Sequence, residues 1–144
     1  MRAGEIGFTI EGIEWDLPLP DETRTWIAQL AKHHRYQIQE LNFIYSSDEY
    51  VLYLNQKYLQ HDDFTDILTF NYSTPGTKDI IADVYISVER VKENAEIYKV
   101  PFIDELHRVM AHGILHIVGY DDTTEEAEQQ MRQQEEFALQ LRMF

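Results

Sequence analysis

His112-Gly113-Ile114-Leu115-His116-Ile117-Val118-Gly119-Tyr120-Asp121-Asp122 sets two histidines four residues apart in an otherwise apolar run that closes on a glycine. On a helix, residues at that interval share one face about one turn apart, so both imidazoles can reach a single ion. Gly119 suits the left-handed conformation that commonly ends a helix, and the turn it makes can swing Asp122 back beneath the pair as a third ligand. Nitrogen and oxygen donors without thiolate suit zinc first and other first-row divalent ions second, and three protein ligands leave a position for water. The stretch therefore predicts a central helix with a metal site at its C-terminal end, held by His112, His116 and Asp122. The other histidines form no such group: His33 and His34 are adjacent and point to different sides of any helix, while His61 and His107 stand alone.

Around this helix the second half of the chain reads as helical. Pro101 is placed to open it, and residues 89–98 form the helix before it. Thr123-Thr124-Glu125-Glu126 has the threonine-to-glutamate spacing of a capping box and starts a last helix that runs to about Arg142. Its Ala127, Met131, Ala138 and Leu141 repeat at helical spacing as core, and Glu125, Glu126, Glu128, Glu135 and Glu136 read as its solvated face.

The first half alternates between strands and helices. Residues 8–15 predict an early strand or pair of short strands, and Asp21 a cap for the helix carrying Trp26, Ile27, Leu30 and Ala31. Residues 40–46 alternate, with Leu41, Phe43 and Tyr45 on one side, as a strand should. Ser47 and Asp48 open a second helix to about Tyr58. Residues 65–72, rich in branched and aromatic side chains, predict a buried strand; Thr74-Pro75-Gly76-Thr77 turns, and residues 80–87 return as the partner of a hairpin. The sum is an α+β fold, an α/β-like sandwich with a small mixed sheet of about four strands packed with about five helices.

A length of 144 residues predicts one domain, residues 1–144, and the chain has no linker, internal repeat or low-complexity run. The start, Met1-Arg2-Ala3-Gly4-Glu5-Ile6-Gly7-Phe8-Thr9-Ile10, is too polar for the apolar part of a signal peptide. No stretch approaches the roughly 18 consecutive apolar residues of a membrane span, so a soluble, cytoplasmic protein without a membrane partner is expected. The absence of cysteine removes disulfides, thiolate ligands and cysteine nucleophiles. A net charge of −14 argues against broad attraction to nucleic acid, and no DNA partner is expected, although a local basic groove is compatible with it.

An open three-ligand zinc site lowers the pKa of water and polarises carbonyl or phosphoryl oxygens, so hydrolysis is the default chemistry. The spacing also matches the His-Glu-x-x-His-x-x-Gly-x-x-His frame of metzincin-like zinc peptidases, some of which use aspartate as the third ligand. Gly113, however, stands where their glutamate general base belongs. A third reading is a binding module whose metal is structural. Arg108 lies one turn before His112 on the same face, where its guanidinium can hold a phosphate or pair with nearby acid such as Asp104 or Glu105. Asp66 and Asp83, in strands, read as structural hydrogen-bonding groups, and Tyr120 and Asp121 as fixing the turn. No residue pattern identifies a general base.

The stretch from His112 to Asp122 resembles the signature His-Gly-x-Leu-His-Leu-x-Gly-Tyr-Asp-His of the YbeY family. Leu54-Asn55, Thr65-Asp66-Ile67-Leu68-Thr69-Phe70 and Asp83-Val84-Tyr85-Ile86-Ser87 resemble further blocks of that family, in order, so that the likeness covers about residues 39–142. It implies a zinc-dependent, single-strand-specific endoribonuclease that acts in maturation of the small-subunit ribosomal RNA three-prime end and in ribosome quality control. RNA in ribosomal particles and ribosome-associated proteins are the implied partners. The chain departs from the family pattern in three places. Asp122 replaces the usual third histidine, Leu59 an arginine suited to contact phosphate, and Ala82 a glycine before the Asp of the next strand.

Overall fold

The alternating residues of the second predicted strand form one of the two central strands of the sheet. In the computed structural model, which describes residues 4–61 and 63–144, β1 (Glu5–Ile10), β2 (Gln37–Ser46), β3 (Ile67–Asn71) and β4 (Asp79–Ser87) lie in the order β1-β2-β4-β3. The first three in that order run parallel, and β3 pairs antiparallel to β4 at the edge. Five helices surround them: α1 (Pro20–His33), α2 (Asp48–Leu59), α3 (Val88–Tyr98), α4 (Phe102–Ile117) and α5 (Glu125–Gln140). The expected mixed four-stranded sheet with five helices is what the chain forms.

Strand alternation decides which face is the core. Leu41, Phe43 and Tyr45 of β2 and Ile80, Ala82, Val84 and Ile86 of β4 are buried on one face, against Trp26, Ile27 and Leu30 of α1 and Leu106, Met110 and Ile114 of α4. On the opposite face Leu68 of β3 packs with Val51 and Leu54 of α2, flanked by Tyr50, Phe70 and Tyr85. α4, which carries His112 and His116, is thus seated on the sheet. At Gly113 the helix lies close on the sheet: a Cβ there would be 3.0 Å from Ile67 Cδ1 and 3.3 Å from Val84 Cγ1. α5 is tied to α1 through the buried Trp26 indole, which donates to the Ala138 carbonyl at 2.7 Å.

Four local readings are corrected. α1 starts at Pro20 after Leu19, which has φ 48°, so Asp21 lies inside the first turn and pairs with Arg24 at 2.8 Å instead of capping. A proline suits that first helical position because its missing N–H has no partner to lose. The early strand ends at Ile10, and Trp15 packs its ring 4.9 Å from that of Tyr45 outside any strand. The strand expected to be buried is an edge strand in which only Leu68 is buried, because the other branched and aromatic residues line clefts on its two sides. At the last helix Thr124, not Thr123, caps, its hydroxyl accepting from Ala127 N–H at 3.0 Å, so the capping-box glutamate has no part in it.

His107 does not stand alone. Its ring is buried 5.0 Å from Trp26 and 5.4 Å from Phe144, and Arg142 Nη1 donates to its Nδ1 at 2.9 Å. Burial, reinforced by the Arg142 charge, lowers this imidazole from its ordinary value of 6.5 to about 4. The unfolded chain, with the higher value, therefore binds the extra proton between about pH 6.5 and pH 4, and folding stability falls as pH drops through that window. At the acid end the cost is about 3 kcal/mol. Urea midpoints measured at neutral pH and near pH 4.5 should drop clearly for the wild type. His107→Gln, which removes the titration, should show a smaller drop.

Candidate active site

α4 carries Glu105, Arg108 and His112 at intervals of three and four residues, so they share one face. α5 lays against that face a stripe of Met131, Glu135 and Ala138, all buried, with the carboxylate in the middle of apolar neighbours. A carboxylate in such a place needs partners. Glu135 has two: its Oε2 accepts from His112 Nδ1 at 2.7 Å and its Oε1 from Arg108 Nη1 at 3.1 Å. Glu105, equally buried, accepts from Arg108 Nε at 2.9 Å and from Nη2. These contacts raise the Arg108 pKa further above its already high value, the Glu105 hydrogen bond contributing most. The Glu135 hydrogen bond likewise raises His112, against the opposing effect of burial.

The turn after α4 forms as the sequence indicates. Gly119 has φ 114°, its N–H donates to the His116 carbonyl at 3.2 Å, and Tyr120 N–H to the Leu115 carbonyl at 3.0 Å. Asp121 accepts from the backbone N–H and the hydroxyl of Thr123, which fixes the turn as expected. Asp122 is brought back to the helix end, with Oδ2 4.0 Å from His112 Nε2. His116, one turn beyond His112, is exposed, and no hydrogen bond or ion pair ties it to the other two among the described residues. The structure thus brings His112 and Asp122 together, while no three metal-ligating side chains among the described residues already converge as a cage.

His112 and Asp122 share a cleft of about 340 Å³ with Thr65, Asp66, Ile67, Arg108 and Val109. Asp66 accepts from Asn94 Nδ2 at 3.4 Å, and burial raises its carboxyl above the usual range. Asp83 points elsewhere, accepting from Asn42 Nδ2 at 3.1 Å in the structural role expected for it. Leu59, the last residue of α2, is exposed and does not line this cleft.

The donor set fits a divalent cation. With Nδ1 committed to Glu135, His112 presents Nε2 on the side of Asp122, the arrangement in which a carboxylate orients a metal-binding histidine. Donors about 2.0–2.1 Å from a tetrahedral ion are about 3.3 Å apart, so the 4.0 Å pair needs only a small side-chain adjustment. Charge points the same way: Glu105, Asp122 and Glu135 outnumber the guanidinium of Arg108 beside the cleft. A phosphodiester would be repelled there without an added cation.

Sequence reading assigned Glu135 to the solvated face, and the structure corrects this: it is buried and holds both His112 and Arg108. The signal was its spacing, four residues after Met131 and three before Ala138, inside the apolar stripe. For Arg108 the pairing with nearby acid is what the geometry shows, with Glu105 rather than Asp104. Asp104 pairs with Arg142 at 2.9 Å.

The family model described as Endoribonuclease YbeY matches residues 11–142. Relatives named Endoribonuclease YbeY include that of Cytophaga hutchinsonii, 44% identical over 144 residues and covering 100% of both chains. That of Amoebophilus asiaticus is 41% identical, covering 94% of this chain and 91% of the relative. The solution structure of TM1509 from Thermotoga maritima superposes with a TM-score of 0.68 at 26% identity, covering 94% of this chain and 87% of that one. The chain belongs to the YbeY family of endoribonucleases, which are hydrolytic nucleases.

Proposed function

We propose that the chain is a zinc-dependent endoribonuclease that cuts single-stranded RNA. In this reading it acts in the cytoplasm, in maturation of the small-subunit ribosomal RNA three-prime end and in ribosome quality control. The observation that carries the reading is the Glu135–His112 hydrogen bond of 2.7 Å, which turns Nε2 toward Asp122 in a cleft with excess negative charge. His112, His116 and Asp122 would hold the ion, which supplies Lewis acidity at a phosphoryl oxygen and eases deprotonation of water. Another first-row divalent ion would serve the same donors.

The chain's own residues do the rest. Glu135 fixes the His112 ring. Arg108 uses three of its five N–H groups on Glu105 and Glu135, and the two that remain are free to meet a phosphate oxygen in the cleft. Asp66, raised by burial, suits a proton-carrying role on the cleft wall. With a net charge of −14, attraction to free RNA is weak, which favours recruitment to RNA within ribosomal particles by ribosome-associated proteins.

The peptidase reading is disfavoured by Gly113. That position faces Ile67 and Val84 of the sheet, so a glutamate there would collide with the core instead of reaching the cleft. A ribosome-associated binding module with a structural metal would instead need a closed fourth coordination position and would turn over neither RNA nor protein.

Asp122 provides the test of the ligand set. Asp122→His should keep the metal, because imidazole is an equivalent donor, and Asp122→Ala should lower affinity at least about tenfold. Competition with a chelating dye measures both. Equal affinity in wild type and Asp122→Ala would remove Asp122 from the site.

A further inference from the structure

The edge strand β3 divides two clefts. Ile67 lines the candidate active site, while Phe70, three residues on and about 10 Å along a strand rising about 3.4 Å per residue, lines a second cleft on the α2 side. This second cleft, about 420 Å³, is lined by Tyr50, Leu54, Tyr58, Phe70, Tyr72 and Tyr85. Its volume falls in the range of about 300–1,000 Å³ typical of small-molecule sites. Nothing in the proposed chemistry uses it. Phe70 stands edge-on to Tyr58 at 5.9 Å and to Tyr85 at 5.7 Å, a walled arrangement of rings. Tyr58 and Tyr72 are 57% and 59% exposed, so much of each ring is open to solvent.

Charge chooses the occupant. The Lys57 ammonium stands over the rings of Tyr53 and Tyr58, 5.5 and 5.3 Å from their centroids, and is exposed beside the cleft. Burial, and after it the nearby Asp83 carboxylate, raises the phenols of Tyr72 and Tyr85 above their ordinary value. The exposed Lys57 cation attracts phosphate, and the flat π-faces beside it accept an uncharged planar group.

We propose that the cleft between α2 and β3 is a stacking subsite for an unpaired base of the RNA substrate, with Tyr58 and Tyr72 against the base and Lys57 beside its phosphate. It rests on the reading of the chain as a nuclease of single-stranded RNA. A strand crossing the β3 edge would present its scissile phosphate to the His112 cleft while a base a few nucleotides away is held behind. Duplexed RNA, whose bases are stacked inside, cannot use such a subsite, which gives single-strand preference a physical basis.

The test is binding of a short oligouridylate to the chain bearing His112→Ala, which separates binding from cutting. Adding Tyr58→Ala with Tyr72→Ala should weaken binding about tenfold, and the paired phenylalanine substitutions should retain it. An abasic ribose-phosphate oligomer of equal length should not distinguish the variants. In the otherwise wild-type chain the alanine pair should raise KM for the oligomer with kcat unchanged, and leave cutting of a dinucleotide, too short to span the edge, as it was. Equal oligouridylate binding by the wild-type cleft and the alanine pair would overturn the proposal and leave the surface to a protein partner. If the alanine pair fails to fold, Lys57→Glu decides: weaker binding supports the subsite and unchanged binding overturns it. Tyrosine-dependent binding, with no cutting of RNA by the metal-loaded chain that keeps His112, would refute the nuclease reading while leaving the stacking cleft in place.

Discussion

Glu135→Ala is expected to lower divalent-metal affinity about 10–100-fold, the usual consequence of removing the group that orients a histidine ligand. His112 would lose the acceptor that fixes its Nδ1, and its ring would be free to rotate away from Asp122. Arg108 would keep Glu105 but lose its contact across the helix pair. Because breaking a buried charge pair costs about 3–5 kcal/mol, and Glu105 still compensates the guanidinium, a stability loss near the lower end, about 3 kcal/mol, is expected. Thermal melts without metal measure that loss, and chelator competition measures the affinity. A nitrogen NMR spectrum of His112 separates positioning from mere destabilisation. It should show Nδ1 protonated in the wild type and a mixture of tautomers in a folded Glu135→Ala. An unchanged tautomer and unchanged metal affinity would show that Glu135 is a packing residue only.

His112→Ala should have the largest effect on activity. It removes the one imidazole that is both fixed by α5 and turned toward Asp122. Loss of about 4 kcal/mol of transition-state stabilisation corresponds to a drop of about a thousandfold in the cutting rate. The fold should survive, since the side chain faces the cleft and not the core. His116→Ala should act in the same direction, its exposed ring contributing little to folding. Single-turnover cutting of an unstructured RNA by each folded variant measures both, and wild-type rates in His112→Ala would remove the histidine from the reaction.

The sequence carried the fold where periodicity and burial agree. Leu41, Phe43 and Tyr45 alternate because one face of β2 meets α1 and α4, and the chain shows that pattern directly. It was less legible where one strand serves two clefts: Ile67 and Phe70 look like core residues but face opposite sides of an edge. Asp21 was misread because a left-handed Leu19 and a first-turn proline start α1 without a side-chain cap. In the site, the spacing of His112, His116 and Gly119 is local and so could be read from one helix and its turn. Glu135 lies 23 residues from His112 on another helix, and its role depends on how α5 docks, which local spacing does not encode. A charged residue inside an apolar stripe is the trace that docking leaves in the sequence. Arg108 illustrates the same limit, since the acid that crosses to it from α5 is distant in the chain.

The central claim is that the His112 cleft cuts single-stranded RNA with the help of a bound ion. It is tested most directly by repurified chain stripped of metal and then given one equivalent of zinc, presented with one RNA sequence in unpaired and duplexed form. Cutting of the unpaired form alone, present with zinc, absent without it and lost in His112→Ala, is the expected result. Equal cutting with and without metal, or full activity in His112→Ala, would contradict it.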